Sequence, residues 1–81
     1  MAIVNKQAGD PYENLANAVI AQAAEDYRTA LKKIKAHPKN KDAIDEALRI
    51  ERFFRSGWYQ TLTSVDGECL IRKLQAEIRS S

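Results

Sequence analysis

The fold is decided by the stretch Glu51-Arg52-Phe53-Phe54-Arg55-Ser56-Gly57-Trp58-Tyr59, which holds four of the six aromatic residues in the chain. Aromatic side chains bury the largest areas in small proteins and dominate many protein interfaces. Arg55-Ser56-Gly57 separates the two aromatic pairs, and the Ser-Gly pair within it predicts that one helix ends there. We therefore expect this corner to close the core, to contact a partner, or to do both.

Each aromatic pair consists of neighbours in the sequence. Neighbouring residues on a helix point about 100° apart, so one narrow face cannot bury both members of a pair. We expect at least two of the four rings to be exposed or covered by another chain. The simplest interpretation buries Phe54 and Trp58 at the end of a bundle, with Leu62 beneath them.

A long helix is predicted upstream of this corner. Asp10 can cap it, and Pro11 suits its first position. It should end near Ala36, because Pro38 disfavours helical geometry at the preceding residue. Its apolar residues recur with helical spacing: Leu15, Val19, Ala23, Tyr27, Ala30, Leu31 and Ile34.

A second helix follows Asn40, which is a suitable cap. Its predicted apolar stripe is Ala43, Ala47, Ile50 and Phe54, widened by Ile44 and Leu48. Two pairs of opposite charge are spaced four apart, and both are predicted to form ion pairs: Asp45 with Arg49, and Glu51 with Arg55.

The end of the chain predicts a short turn and a last helix. Ser56 can cap the turn that carries Trp58, Tyr59 and Leu62. The last helix should begin near Thr63 or Ser64, and Gly67 in its first turn suggests a close backbone contact. Its apolar face is predicted to be Leu70, Ile71, Leu74 and Ile78.

These elements predict an all-α fold, a small helical bundle made of a long helical hairpin and a short C-terminal helix. Residues 1–9 lack periodicity and are expected to be a flexible N-terminal arm. Residues 10–81 are expected to form a single helical domain.

The composition limits what can stabilise the fold. A chain of 81 residues has a thin core. One cysteine allows no internal disulfide, and one histidine with it cannot complete a structural zinc site. Association with a second copy is the remaining support, so we expect a homo-oligomer. No cofactor is expected. The chain shows no signal peptide and no apolar stretch that could span a bilayer, which predicts a cytoplasmic protein without membrane contact.

The charge is uneven although the net charge is only +2. Residues 28–41 hold six cations and no acid, whereas the remainder holds seven cations against eleven acids. A basic block of this kind is typical either of a surface for phosphates and nucleic acids or of a helix C-terminus whose dipole it compensates. The second interpretation is favoured.

Few residues suggest catalysis. The carboxylates of Asp66-Gly67-Glu68 could hold a cation, but acids at a helix N-terminus usually compensate the helix dipole. His37 lies in a turn without a nucleophile at motif spacing. Cys69 is expected to be buried. The chain is therefore predicted not to be an enzyme.

The segment Arg52–Tyr59, followed by Leu62-Thr63, Asp66-Gly67-Glu68 and Leu70-Ile71, resembles a family of small uncharacterised proteins encoded by bacteriophages and prophages of Gram-positive bacteria. The resemblance extends over roughly residues 12–75, and Gly57 and Cys69 depart from it. It implies no activity. It implies instead that the protein binds a component of a host cell.

Two classes of function follow. In the first, the protein antagonises a host defence system by binding a defence protein or by sequestering a nucleotide signal between protomers. Its predicted binding residues are Arg52, Phe53, Arg55, Trp58 and Tyr59, with Lys32 and Lys35 contacting phosphates. In the second, it is a small DNA- or RNA-binding regulator that uses residues 28–41. A structural or assembly role is a third possibility.

Overall fold

The computed structural model describes residues 11–80, which form four helices and no strand. They are α1 (Pro11–Ala36), α2 (Lys41–Phe54), α3 (Gly57–Leu62) and α4 (Gly67–Ser80). The predicted all-α bundle is thus confirmed, with α1 and α2 as the long hairpin. The expected N-terminal arm, residues 1–9, and the predicted cap Asp10 lie outside the described residues.

The turn between α1 and α2 has the predicted construction. The backbone N–H of Asn40 donates to the carbonyl of His37 at 3.0 Å, which closes the turn. The Asn40 side chain then accepts from the N–H of Ala43 at 3.1 Å, so it caps α2. This contact satisfies one of the N–H groups that a helix start leaves without an intrahelical partner.

The core lies where α1, α2 and α4 meet. Its buried residues are Tyr27, Ala30, Ala47, Ile50, Phe54, Tyr59, Ile71 and Leu74. The predicted stripe on α2 is buried, but Leu48 is 49% exposed and does not belong to it. Leu15 on α1 is likewise 63% exposed. Both leucines follow or precede a buried alanine directly, and one residue along a helix turns the side chain by about 100°.

The aromatic corner is shaped by Ser56. Its hydroxyl accepts from the N–H of Tyr59 at 3.2 Å and donates to the carbonyl of Phe53 at 2.7 Å. It thereby caps α3 and holds the last turn of α2 at the same time. The predicted short capped turn is confirmed as the six-residue helix α3.

The predicted start of the last helix was wrong. Thr63 has extended backbone angles and ends α3, so α4 begins at Gly67 rather than near Thr63 or Ser64. Asp66 is the residue that starts it, since its carbonyl accepts from the N–H of Leu70 and its carboxylate from the N–H of Glu68. The predicted start was therefore about one turn too early.

Gly67 makes the close contact that the sequence suggested. A Cβ atom at this position would lie 2.0 Å from the carbonyl oxygen of Phe54. No real carbon can approach so closely, so only glycine lets the first turn of α4 rest on the last turn of α2. This contact fixes where α4 enters the bundle.

One of the two predicted ion pairs on α2 is confirmed. Arg55 pairs with Glu51 at 3.4 Å. Arg49 was predicted to pair with Asp45, but it pairs with Glu46 at 2.5 Å instead. The three-residue spacing also brings side chains together on one helix face.

Candidate functional site

The four aromatic residues of the corner differ sharply in exposure. Phe54 and Tyr59 are each 1% exposed, Phe53 is half-buried, and Trp58 is 60% exposed. The interpretation that buries Phe54 and Trp58 was therefore wrong for Trp58, and Tyr59 occupies the core position instead. Trp58 is thus the only one of the four rings that is mostly exposed, whereas we expected at least two.

Phe53 connects the exposed indole to the core. Its ring centroid lies 6.0 Å from that of Trp58, with the ring planes at 79°, and 5.7 Å from that of Tyr59. Phe54 in turn meets Tyr59 at 5.6 Å and Tyr27 at 6.0 Å. Such edge-to-face contacts are favourable for aromatic rings. The indole of Trp58 therefore packs against Phe53, which itself packs against the core, although most of the indole faces solvent.

An apolar groove of about 490 Å³ opens beside Trp58. Its floor and walls come from Phe53 and from one stripe of α1, and its lining residues are Ala18, Val19, Gln22, Ala23, Asp26, Phe53 and Trp58. Leu15 lies one turn before Val19 and extends the apolar stripe. We call Leu15, Ala18, Val19, Phe53 and Trp58 the Trp58 surface.

A second groove of about 680 Å³ runs between α1 and α2. Asp26 lines both grooves, so the second continues from the first toward the turn at Asn40. Its lining residues are Asp26, Thr29, Ala30, Lys33, Asn40, Asp42, Ala43 and Glu46. We call the two grooves together the α1–α2 trough.

A half-buried polar network joins α1, α2 and α4. The hydroxyl of Tyr27 donates to Glu51 Oε2 at 2.6 Å and accepts from Gln75 Nε2 at 3.0 Å. Burial, reinforced by the hydrogen bond to Glu51, raises the pKa of Tyr27 well above its usual range. The contacts join α1, α2 and α4 at one point.

Arg55 belongs to the same network. It pairs with Glu51 and, through Nε, with Glu68 Oε2 of α4. The hydrogen bond from Arg55 holds the pKa of the Glu68 carboxyl below its usual range. Arg55 was predicted as a ligand-binding residue, and the structure uses it to connect α2 with α4.

The predicted site residues do not form one cluster. Arg52 is exposed on the face of α2 turned away from the core, and Tyr59 is buried, so Tyr59 offers no surface to a ligand. Lys32 and Lys35 lie ten to thirteen residues beyond Gln22 on α1, which is about 15–20 Å along the helix axis. Lys35 donates to the carbonyl of Ile78 at 2.9 Å and so interacts with the end of α4.

The remaining candidates have structural roles. Asp66 caps α4 and Glu68 pairs with Arg55, which agrees with compensation of the helix dipole. Cys69 is exposed, so the prediction that it is buried was wrong. Between residues 11 and 80, no group of three or more His, Cys, Asp or Glu side chains is placed to hold a metal ion.

Sequence reasoning missed the contribution of α1 to the site. Ala18, Gln22 and Asp26 lie beside the core stripe of α1, and their types alone do not distinguish them from other surface residues. The only available signal is their helical spacing of four, which places them on one face next to that stripe. Phe53 and Trp58 must be placed in space before the groove can be recognised.

Comparisons with known proteins add no relative: the chain matches no protein-family model, no curated protein and no solved structure. The resemblance to small phage-encoded proteins stays a prediction. In the described part of the chain, no helix is both long and apolar enough to cross a membrane.

Proposed function

We propose that this chain is a non-catalytic binding protein that contacts another protein through the Trp58 surface. The observation that carries the proposal is Trp58 itself, 60% exposed, resting on Phe53 and bordering an apolar groove. Tryptophan is among the residues most enriched where interfaces concentrate their binding energy. An exposed indole held in place by other rings loses little freedom when a partner covers it.

The resemblance to small proteins of phages and prophages directs the choice of partner. We propose a bacterial host protein, with a component of a defence system as the first candidate. As a non-catalytic protein, this chain would antagonise that component by covering its surface.

Sequestration of a nucleotide signal has less support from the geometry. The arginine expected beside the indole, Arg55, is already paired with two carboxylates. Lys32 and Lys35, which were expected to hold phosphates, lie about 15–20 Å along α1 from Gln22, which lines the groove beside Trp58. Arg52 is exposed but does not line the groove beside Trp58, so none of the predicted cations lines that groove for a nucleotide stacked on the indole.

One observation favours nucleic-acid binding as a second candidate: Lys32, Lys33, Lys39 and Lys41 are all exposed around the end of α1. Acidic side chains are interspersed with them, because Asp42 and Glu46 line the adjoining groove. Arg28 is also engaged, with Glu25 and Glu77. A nucleic-acid complex would lose affinity steeply as salt is raised, which a titration against duplex DNA and single-stranded RNA measures directly.

The protein-binding proposal is tested by comparative capture from a Gram-positive bacterial lysate, followed by titration of each captured protein after purification. The baits are the unmodified chain, Trp58→Ala, and Leu48→Ala as a matched control. Leu48 is 49% exposed on α2 but lies outside the trough. We expect a partner whose affinity falls at least tenfold with Trp58→Ala and stays unchanged with Leu48→Ala.

The proposal fails if every captured protein binds the two variants equally well. Thermal melts of the three baits show whether a loss of binding reflects a loss of folding. Light scattering on each bait tests the predicted homo-oligomer in the same experiment.

A further inference from the structure

The α1–α2 trough has two chemically different ends. At the Trp58 end its lining is almost entirely apolar, although Gln22 and Asp26 are among the lining residues. At the Asn40 end three carboxylates line it: Asp26, Asp42 and Glu46. An occupant that complements both ends must itself be apolar at one end and basic at the other.

The acidic end is not neutralised by the trough itself. Lys33 is the one cation among its lining residues, against three carboxylates. Glu46 pairs with Arg49, while Asp26 accepts a neutral hydrogen bond from Gln22 at 2.9 Å. Within residues 11–80, neither Asp26 nor Asp42 forms an ion pair. This surface therefore favours a cationic partner, although it adjoins the most basic segment of the chain.

The length of the trough suits a helix. Its α1 wall runs from Ala18 to Lys33, which is about 22 Å at the usual helical rise. A helix of about 15 residues has the same length. Two antiparallel helices form the walls, and an amphipathic helix laid in such a groove is a recurrent mode of peptide recognition.

We propose that the trough binds an amphipathic helix of the partner protein, with apolar side chains against Phe53 and Trp58 and Lys or Arg side chains against Asp26, Asp42 and Glu46. The inference rests on the proposed function and adds the chemistry of the partner. It disfavours a nucleic acid on this face, since a phosphate backbone would meet the carboxylates of Asp26, Asp42 and Glu46 as well as Lys33.

The test is selection from a display library of sixteen-residue helical peptides with randomised surface positions, using the full-length chain as the target. We expect the enriched peptides to combine apolar residues at helical spacing in one half with Lys or Arg in the other. At saturation they should shift the fluorescence emission of Trp58, the only tryptophan, to shorter wavelength.

Charge-reversal variants then locate the contact. The double variant Asp26→Lys/Asp42→Lys should weaken the selected peptides at least tenfold, as should Trp58→Ala. Asp45→Lys is the matched control, because Asp45 is exposed and lines neither groove. Circular dichroism confirms that each variant is folded.

The outcomes separate this inference from the proposed function. Peptides that need Trp58 but are acidic, or are indifferent to Asp26→Lys/Asp42→Lys, overturn the trough proposal and leave the Trp58 surface standing. If no selected peptide loses affinity with Trp58→Ala, both the trough proposal and the proposed function of the Trp58 surface are rejected. A dimer by light scattering that Trp58→Ala converts to monomer would mean that a second copy covers the trough, and that result also overturns the inference.

Discussion

Trp58 and Tyr59 are neighbours in the sequence, but Trp58 is 60% exposed and Tyr59 only 1%. The cap at Ser56 fixes the first turn of α3, and one residue along that helix turns the side chain by about 100°. Tyr59 thereby joins Phe54 under the entry of α4, while Trp58 remains outside on Phe53. The short helix α3 thus contributes Tyr59 to the core and places Trp58 on the adjoining surface.

The two regions should respond very differently to added atoms. At Gly67 we expect Gly67→Ala to destabilise the fold by about 3 kcal/mol, because its Cβ collides with the backbone oxygen of Phe54. A core of this size supplies only about 3–5 kcal/mol in total, so the variant should be largely unfolded. Urea unfolding followed by circular dichroism measures the difference.

Gly57 is the matched control for this substitution. No atom lies within 4 Å of a Cβ built there, and Gly57 is the first residue of α3. Gly57→Ala should therefore be neutral or slightly stabilising, since alanine favours helix formation. Equal effects at the two glycines would show that the contact between α2 and α4 is not what fixes the corner.

A second test removes the hydroxyl that joins the three long helices. Tyr27→Phe should cost about 1–2 kcal/mol, because it leaves Glu51 and Gln75 without their shared partner. It should also change the response to alkaline pH. Burial raises the pKa of Tyr27, so the folded state keeps a proton that the unfolded chain loses near pH 10.

The raised pKa of Tyr27 determines how the free energy of unfolding changes with pH. The contribution of Tyr27 to stability is fully present below pH 10 and decreases as the pH rises further. The unmodified chain should therefore lose stability more steeply above pH 10 than Tyr27→Phe does. Parallel curves for the two proteins in urea titrations would contradict the burial and hydrogen bonding of the Tyr27 hydroxyl.

The same substitution should have the opposite result at Tyr59. Its hydroxyl is buried and has no hydrogen-bond partner among residues 11–80. Removing a buried hydroxyl without a partner relieves a desolvation penalty, so Tyr59→Phe should leave stability unchanged or raise it by about 1 kcal/mol. A loss as large as that of Tyr27→Phe would show that the Tyr59 hydroxyl does have a partner.

The elements that local chemistry determines could be predicted from the sequence. Pro11, Pro38 and Asn40 fixed the ends of α1 and the start of α2, and Ser56 fixed α3, because caps and proline act within a few residues. The start of α4 was placed too early for the opposite reason. It depends on where Gly67 can rest on Phe54, which is a contact between two helices.

The site was harder to predict than the fold. Phe53 and Trp58 were named as candidates from their residue types, but the sequence could not say which aromatic ring of each pair lies inside. That choice depends on how α3 is oriented against α1 and α2. Arg55 illustrates the same limit, since its partner Glu68 is thirteen residues away and reaches it only through the fold.

A small effect on stability and the largest effect on binding should coincide at Trp58. Its side chain contacts Phe53 and borders the groove on α1, but 60% of it is exposed, so Trp58→Ala should lower the free energy of unfolding by only about 0.5–1 kcal/mol. Leu48→Ala, at a residue of comparable exposure, should have an equally small effect in the same urea titration. A loss above about 2 kcal/mol with Trp58→Ala would be as large as the loss from truncating a buried side chain, and it would place the indole in the core. Near-native stability together with lost partner binding would instead assign the indole to an interface, which is the distinction that its exposure beside the buried Tyr59 predicts.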